Sequence, residues 1–174
     1  MADKPARANQ QGEDRFQTLL NNANAARVIS QAVEGTLGPR GLDVMMVDRF
    51  GGVVITNDGV TILNLMEVGH PAAQMIINTA RSQQKEVGDG TTTTTILAGA
   101  MIAEGCAQII KGVPVTRVVE GIRLGVEACA RWIDEIARPI NDLDDPELAA
   151  IAAIAGRGEQ ELARQIVEGA KILG

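Results

Sequence analysis

Gly88-Asp89-Gly90-Thr91-Thr92-Thr93-Thr94-Thr95 places one carboxylate between two glycines, directly ahead of five consecutive hydroxyl side chains. The apolar residues 96–104 follow and predict a buried helix. The first turn of a helix leaves backbone N–H groups unpaired and carries partial positive charge, so it binds anions, and a carboxylate suits Mg²⁺. The stretch therefore predicts a phosphate-and-magnesium site, with an ordinary N-capping loop as the alternative.

Two further loops carry glycines and polar groups of the same kind. One covers residues 36–41 and contains Pro39, and the other is Asn57-Asp58-Gly59. Three such loops in one small domain predict that they converge on a single anionic ligand. Asp58 and Asp89 could together serve Mg²⁺ and an attacking water. Taken alone, Asn57-Asp58-Gly59 is more often a plain turn.

The composition excludes several classes of protein. The chain has 174 residues, 16 of them basic and 22 acidic, for a net charge of -6. A nucleic-acid-binding protein would need a basic face and aromatic stacking platforms, and Phe16, Phe50 and Trp132 are the only aromatic residues. Cys106 and Cys129 are far apart and predict small core residues of a reducing compartment. No apolar run is expected to span a membrane.

Hydrophobic periodicity predicts a mainly α-helical fold with one β-hairpin. Residues 1–12 are predicted as a flexible tail, and a polar segment near 141–146 as a domain boundary. The hairpin is predicted over 44–48 and 53–57. Helices are predicted from about residue 15 to 34 and over 60–66, 72–86, 92–111, 116–137, 147–155 and 159–173. The helix over 116–137 is expected to bury one apolar face, formed by Val118, Val119, Ile122, Val126, Ala130 and Ile133.

Other candidate catalytic groups are few. No P-loop motif occurs. His70 is the only histidine and has no evident partner for metal binding or base catalysis, which favours a structural role. Arg157 lies between two glycines and is either a solvated loop residue or a phosphate-sensing cation.

These motifs together resemble the chaperonins, in particular their group II, thermosome-like branch. The GDGTTT stretch also occurs in group I chaperonins, whereas the HPAA segment leans toward group II, and a group II-like form carried by a bacterium stays open. The similarity extends from about Arg15 to the end of the chain. The matching stretches are Thr36-Leu37-Gly38-Pro39-Arg40-Gly41, Val54-Ile55-Thr56-Asn57-Asp58-Gly59-Val60-Thr61-Ile62-Leu63, His70-Pro71-Ala72-Ala73 and Glu86-Val87-Gly88-Asp89-Gly90-Thr91-Thr92-Thr93.

The resemblance implies a domain assignment. Residues 13–140 would form the N-terminal half of the equatorial ATPase domain, made of long packed helices plus one hairpin that joins a sheet between neighbouring subunits. Residues 141–174 would begin the intermediate, hinge domain. The apical domain and the returning half of the equatorial domain, which supplies another catalytic aspartate and part of the adenine pocket, would then lie beyond this chain. The isolated chain is expected not to hydrolyse ATP efficiently.

The resemblance also implies the site residues and the function. Asp58 would be catalytic, next to the γ-phosphate and the attacking water, and Asp89 would bind the metal. The residues implied to bind the nucleotide are Thr36, Leu37, Gly38, Pro39, Gly59, Gly90, Thr91, Thr92, Thr93 and Arg157. Relatives have Gly-Lys-Gly where this chain has Gly156-Arg157-Gly158, which weakens the last assignment.

The implied protein is a cytoplasmic ATPase that uses ATP/ADP and Mg²⁺. It would assemble with itself into a double ring and close a chamber around unfolded client proteins, without binding nucleic acid or a membrane. The alternative is a non-catalytic chaperonin-like scaffold, against which the two aspartates and the Gly/Thr loops argue.

Overall fold

The computed structural model describes residues 4–38, 40–48 and 50–173, with side chains from residue 14 onward. Two compact units divide the chain, Met1–Leu124 and Gly125–Gly174. The elements are α1 (Lys4–Glu34), β1 (Val44–Val47), β2 (Val53–Thr56), α2 (Gly59–Leu65), α3 (Pro71–Glu86), α4 (Thr91–Ile110), α5 (Val115–Ile136), α6 (Pro146–Ala155) and α7 (Gln160–Leu173). The predicted mainly α-helical fold with one hairpin is confirmed.

The core of the first unit lies where α1, α2, α3 and α4 meet. Its side chains are aliphatic or small, which lets the helices approach closely. At one crossing of α1 and α4, Ser30 lies directly against Gly99 and its hydroxyl donates to the carbonyl of Ala26 at 2.9 Å. The buried core residues are Ala26, Ile29, Val33, Ile62, Leu63, Ala73, Ile76, Ile77 and Ala80.

The hairpin pairs β1 and β2 in antiparallel register, with Val44 opposite Thr56 and Val47 opposite Val53. Its turn is closed by Asp48, whose Oδ1 accepts hydrogen bonds at 2.8 Å from the backbone N–H groups of Phe50 and Gly52. One face of the hairpin is half-buried against the core and the other is exposed, as alternation in a strand requires. The hairpin places Asp58 two residues beyond the end of β2.

The first helix begins earlier than the sequence predicts. Residues 4–12, assigned to a flexible tail, have helical backbone continuous with α1. The segment is rich in Ala, Gln, Arg and Lys, which favour helix even without an apolar stripe. The predicted end of this helix at Glu34 is confirmed.

The apolar character of α4 and α5 differs from expectation. By length and composition alone, α4 could cross a membrane, contrary to the prediction that no segment could, although the core helix of a soluble protein passes the same test. No residue of α5 is buried within the described part of the chain. The predicted inner face of α5 is only partly buried: Val118 and Ile122 are half-buried and lie within 4 Å of where a Cβ on Gly105 of α4 would be. Val119, Val126 and Ile133 are all more than half exposed.

The second unit contains the end of α5 together with α6 and α7. Helices α6 and α7 pack on each other, and Ala163 is the buried residue of α7. Asp145 caps α6 by accepting a hydrogen bond from the N–H of Glu147 at 2.9 Å. The division between the units falls inside α5, earlier than the predicted boundary near 141.

Candidate functional site

All three glycine-bearing loops line one cavity of about 280 Å³. The cavity is open and predominantly polar, and its size is near the lower end for small-molecule sites, roughly 300 Å³. Its walls come from the loop after α1, the turn after β2 and the loop between α3 and α4. The lining residues are Thr36, Leu37, Gly38, Asn57, Asp58, Gly59, Asp89, Gly90, Thr91, Thr92 and Thr93. Of the predicted site residues, Pro39 lies outside the described residues and Arg157 belongs to the second unit.

Asp58 caps the N-terminus of α2. Its Oδ2 accepts two hydrogen bonds from Thr61, one from the backbone N–H at 3.0 Å and one from the hydroxyl at 2.6 Å. The backbone N–H of Asp58 donates to the hydroxyl oxygen of Thr56 at 3.1 Å. Among the described residues, no hydrogen bond reaches Oδ1 of Asp58, so one carboxylate oxygen is oriented by the cap and the other is open to a ligand.

Gly59 allows the first turns of α2 and α4 to meet. A Cβ atom at this position would overlap Oγ1 of Thr92 and would lie 3.1 Å from the Thr92 backbone nitrogen. Gly59 is buried, and a larger residue there would require Thr92 to shift. The close approach brings the uncapped N-terminus of α4, with its unpaired N–H groups and partial positive charge, beside the start of α2, which Asp58 caps.

The Asp89 loop turns sharply between α3 and α4. Gly88 and Gly90 adopt φ values of 83° and 79°, a left-handed conformation that favours glycine. Oδ1 of Asp89 accepts a hydrogen bond from the N–H of Gly90 at 2.7 Å. Gly90 is the N-cap of α4, and no side chain caps this helix. The alternative of an ordinary capping loop is therefore disfavoured, because the N–H groups of the first turn keep their capacity to bind an anion.

The threonines around the cavity are not equivalent. Thr36 is buried and its hydroxyl donates to the carbonyl of Val33 at 2.8 Å, so that side chain fixes the end of α1. Thr91 is also buried, and its carbonyl accepts a hydrogen bond from the Thr95 hydroxyl at 2.8 Å. Thr93 is exposed and Thr92 is partly buried. These two hydroxyls are the ones best able to meet a ligand.

The donor set limits what the cavity can hold. Asp58 and Asp89 are the two carboxylates that line it, and no group of three or more His, Cys, Asp or Glu within the described residues could hold a metal ion. Two carboxylates beside several N–H groups suit a hard cation that arrives with an anion, because Mg²⁺ keeps water and phosphate oxygens as ligands. The residues present fit a magnesium–phosphate pair better than a metal alone.

Sequence reasoning missed two residues that shape this region, Thr61 and Gln83, whereas His70 has the structural role expected of it. Thr61 holds Asp58, and the signal was its position three residues after a capping aspartate. His70 caps α3 by accepting a hydrogen bond at Nδ1 from the N–H of Ala72 at 3.2 Å. Gln83 donates from Nε2 to the carbonyl of Asp89 at 2.9 Å, and nothing in the local pattern marked it.

The second unit contains a larger cavity of about 440 Å³, beside α7. Its charges are already paired, since Arg164 bonds to both Glu161 and Glu168. The hydrogen bond to Arg164 lowers the pKa of Glu161, as an exposed ion pair does. Arg157 lies in the turn between α6 and α7 with a φ of 53°. Size alone does not single out a site in this unit.

The comparisons with known proteins agree with this geometry. The model of the TCP-1/cpn60 chaperonin family matches residues 29–173. The chain belongs to this family.

Thermosome subunits are among the relatives of this chaperonin chain. The beta subunit of Archaeoglobus fulgidus is 45% identical over 149 residues, which cover 84% of this chain and 27% of the relative. The thermosome subunit of Methanopyrus kandleri is 42% identical over 149 residues, with the same two coverages. A crystal structure of a group III chaperonin in the open state matches with a TM-score of 0.83 and 49% identity, over 92% of this chain and 33% of that chain.

The chaperonin chain thus spans about a quarter of the length of these thermosome subunits. The family assignment confirms the predicted resemblance and the fold of a chaperonin equatorial domain.

Proposed function

We propose that this chain supplies the phosphate-binding wall of an ATP-dependent chaperonin subunit. The observation that carries the proposal is the convergence of two carboxylates and the uncapped N-terminus of α4 on one cavity. A polyphosphate needs many N–H donors, and its metal needs oxygen ligands. The backbone N–H groups and the carboxylates of the cavity can therefore serve one ligand. Membership of the chaperonin family supports this reading.

Different residues bind the phosphates, bind Mg²⁺ and activate the attacking water. The first turn of α4 donates backbone N–H groups to phosphate oxygens, joined by the hydroxyls of Thr92 and Thr93. Asp89 ligates Mg²⁺, which neutralises phosphate charge when it is bound. Asp58 uses its open Oδ1 to orient the attacking water and accept its proton, while Thr61 holds Oδ2. Leu37, exposed at the cavity edge, excludes water over the ligand.

In the complete protein, hydrolysis of the γ-phosphate would drive closure of a double-ring chamber around unfolded clients. That protein assembles with copies of itself and works in the cytoplasm. Residues 141–174 would begin the hinge domain, which contains Arg157. We expect this chain alone to turn ATP over poorly, which a steady-state assay giving full chaperonin turnover would disprove.

Asp89→Ala tests the proposal directly. Loss of a metal-binding carboxylate is expected to weaken fluorescent-nucleotide binding in Mg²⁺ by at least about tenfold and to remove its Mg²⁺ dependence. The measurement is a nucleotide titration of the complete protein with and without Mg²⁺. Asp134→Ala, an exposed aspartate of α5, is the matched control and should bind as the wild type does.

A non-catalytic scaffold is the second candidate, because Asp58 caps α2 and Asp89 accepts from the N–H of Gly90, and neither of these roles needs a metal. It predicts that Asp89→Ala changes nothing in nucleotide binding and leaves assembly intact. Equal binding by Asp89→Ala and Asp134→Ala, with or without Mg²⁺, would favour the scaffold over the ATPase.

A further inference from the structure

Gln83 connects the rigid part of the first unit to the Asp89 loop. It lies in the last turn of α3, a helix anchored in the core by Ile76, Ile77 and Ala80. Its side-chain Nε2 crosses the loop and donates to the carbonyl oxygen of Asp89 at 2.9 Å. This bond joins residues six apart in sequence, across the turn between α3 and α4.

The main chain of Gln83 holds the beginning of the same loop. Its carbonyl oxygen accepts from the N–H of Val87 at 2.9 Å and from the N–H of Gly88 at 3.4 Å. One residue therefore fixes the backbone on both sides of the left-handed Gly88, with its carbonyl before the turn and its amide after it. Gly90 packs against the same amide, since a Cβ atom there would lie 3.4 Å from Nε2 of Gln83.

The consequence concerns the orientation of the Asp89 carboxylate. Glycines on both sides of Asp89 leave its backbone able to rotate, and its side chain is exposed. The bond from Gln83 fixes the carbonyl of Asp89, and with it the peptide plane that leads to Gly90. The N–H of that same peptide donates to Oδ1 of Asp89 at 2.7 Å. Fixing the peptide therefore also fixes the carboxylate.

We propose that Gln83 is the positioning residue of the metal-binding loop: it holds Asp89 in the orientation that receives the magnesium of a nucleotide. The part of this inference that concerns magnesium rests on the proposed function. The part that concerns the order of the Asp89 loop does not. Without the amide of Gln83, Asp89 must be ordered when the ligand binds, and that cost appears as a weaker affinity for Mg²⁺. Gln83 touches neither metal nor nucleotide in this role.

The test uses Gln83→Leu in the complete protein, which removes the donor and keeps a side chain of similar size. Gln83→Glu keeps the length and replaces the donor with an acceptor. Gln84→Leu is the matched control, because Gln84 is exposed and bonds to no other side chain in the described part of the chain. Fluorescent-nucleotide binding is measured as a function of Mg²⁺ concentration, and amide hydrogen exchange of residues 87–91 is measured without nucleotide.

Both Gln83 variants are expected to raise the Mg²⁺ concentration at half-maximal binding about fivefold, the effect of one lost hydrogen bond. Saturating Mg²⁺ should restore nucleotide affinity to that of Gln84→Leu, which a general loss of structure would not allow. Exchange at residues 87–91 should also be faster in both variants than in the control.

Two results would overturn the proposal. One is a Mg²⁺ midpoint and loop exchange equal to those of Gln84→Leu. The other is weakened binding that saturating Mg²⁺ does not restore, which would make Gln83 only a stabilising residue. If the wild type itself showed no Mg²⁺-dependent binding, the proposed function would fall, and the exchange rates would still decide whether Gln83 holds the loop.

Discussion

Helices α4 and α5 are close in length, 20 and 22 residues, yet they are buried very differently. Helix α4 is apolar around most of its circumference, packs against α1 and α3, and has buried residues from Thr91 to Cys106. Helix α5 has the clearer division into apolar and charged faces, yet none of its residues is buried within the described chain. An amphipathic pattern therefore predicts a face that can pack, whereas a packing partner decides whether it does.

The difference in packing between the two helices is also seen around their glycines. At Gly99 in α4, the helix lies against Ser30 of α1 with no room for a side chain. At Gly121 and Gly125 in α5, no atom of the described residues beyond the adjacent residues and the nearby helix backbone lies within 4 Å of where a Cβ would be. Glycine thus permits close packing at Gly99 in α4, whereas Gly121 and Gly125 in α5 have no such role.

Gly99→Ala should have the largest effect. The new methyl group would overlap Oγ of Ser30 and come within 2.8 Å of its Cβ, which real structures do not tolerate. Separating α1 from α4 should destabilise the fold by about 1–3 kcal/mol, measured as the free energy of unfolding in urea. Adding Ser30→Gly should recover part of this loss, and an unchanged urea midpoint for Gly99→Ala alone would contradict the close packing.

The two cysteines test the same contrast by chemistry. Cys106 of α4 is buried and Cys129 of α5 is exposed. Burial raises the pKa of the Cys106 thiol, so less thiolate is present at a given pH. Alkylation by iodoacetamide at mildly alkaline pH should therefore be at least about tenfold faster at Cys129, measured by peptide mass spectrometry.

The raised pKa of Cys106 also makes the free energy of unfolding depend on pH. The folded state favours the protonated thiol, so this contribution is fully present below the thiol's unfolded pKa and is lost as the pH rises through the folded value. Cys106→Ala should remove this alkaline loss. Labelling of Cys106 as fast as Cys129 would mean that α4 is not packed as described.

Features that depend on residues close in sequence could be predicted, whereas features that depend on contacts formed only in the folded chain could not. The hairpin, the helix ends other than the start of α1, and the convergence of Asp58 with Asp89 depend on local glycines and short motifs, and the structure has them where they were expected. The exposure of α5 could not be predicted, because a periodic pattern does not contain the partner. Gln83 could not be predicted either, since its bond to Asp89 crosses a turn whose geometry exists only once α3 and α4 are in place.

Gly121→Ala should have the smallest effect and the opposite sign. Alanine loses less backbone freedom on folding than glycine, and the site in α5 has room for a methyl group, so the variant should be more stable by roughly 0.5–1 kcal/mol. Gly125→Ala should have a similar effect. The urea midpoints of these two variants, measured together with that of Gly99→Ala, compare the α5 sites with the α4 site. A loss of stability at Gly121 would mean that another surface covers this face of α5 in the molecule as measured. The contrast with α4 would then reflect which partners are present, because the sequence of α5 already carries the pattern of a buried helix.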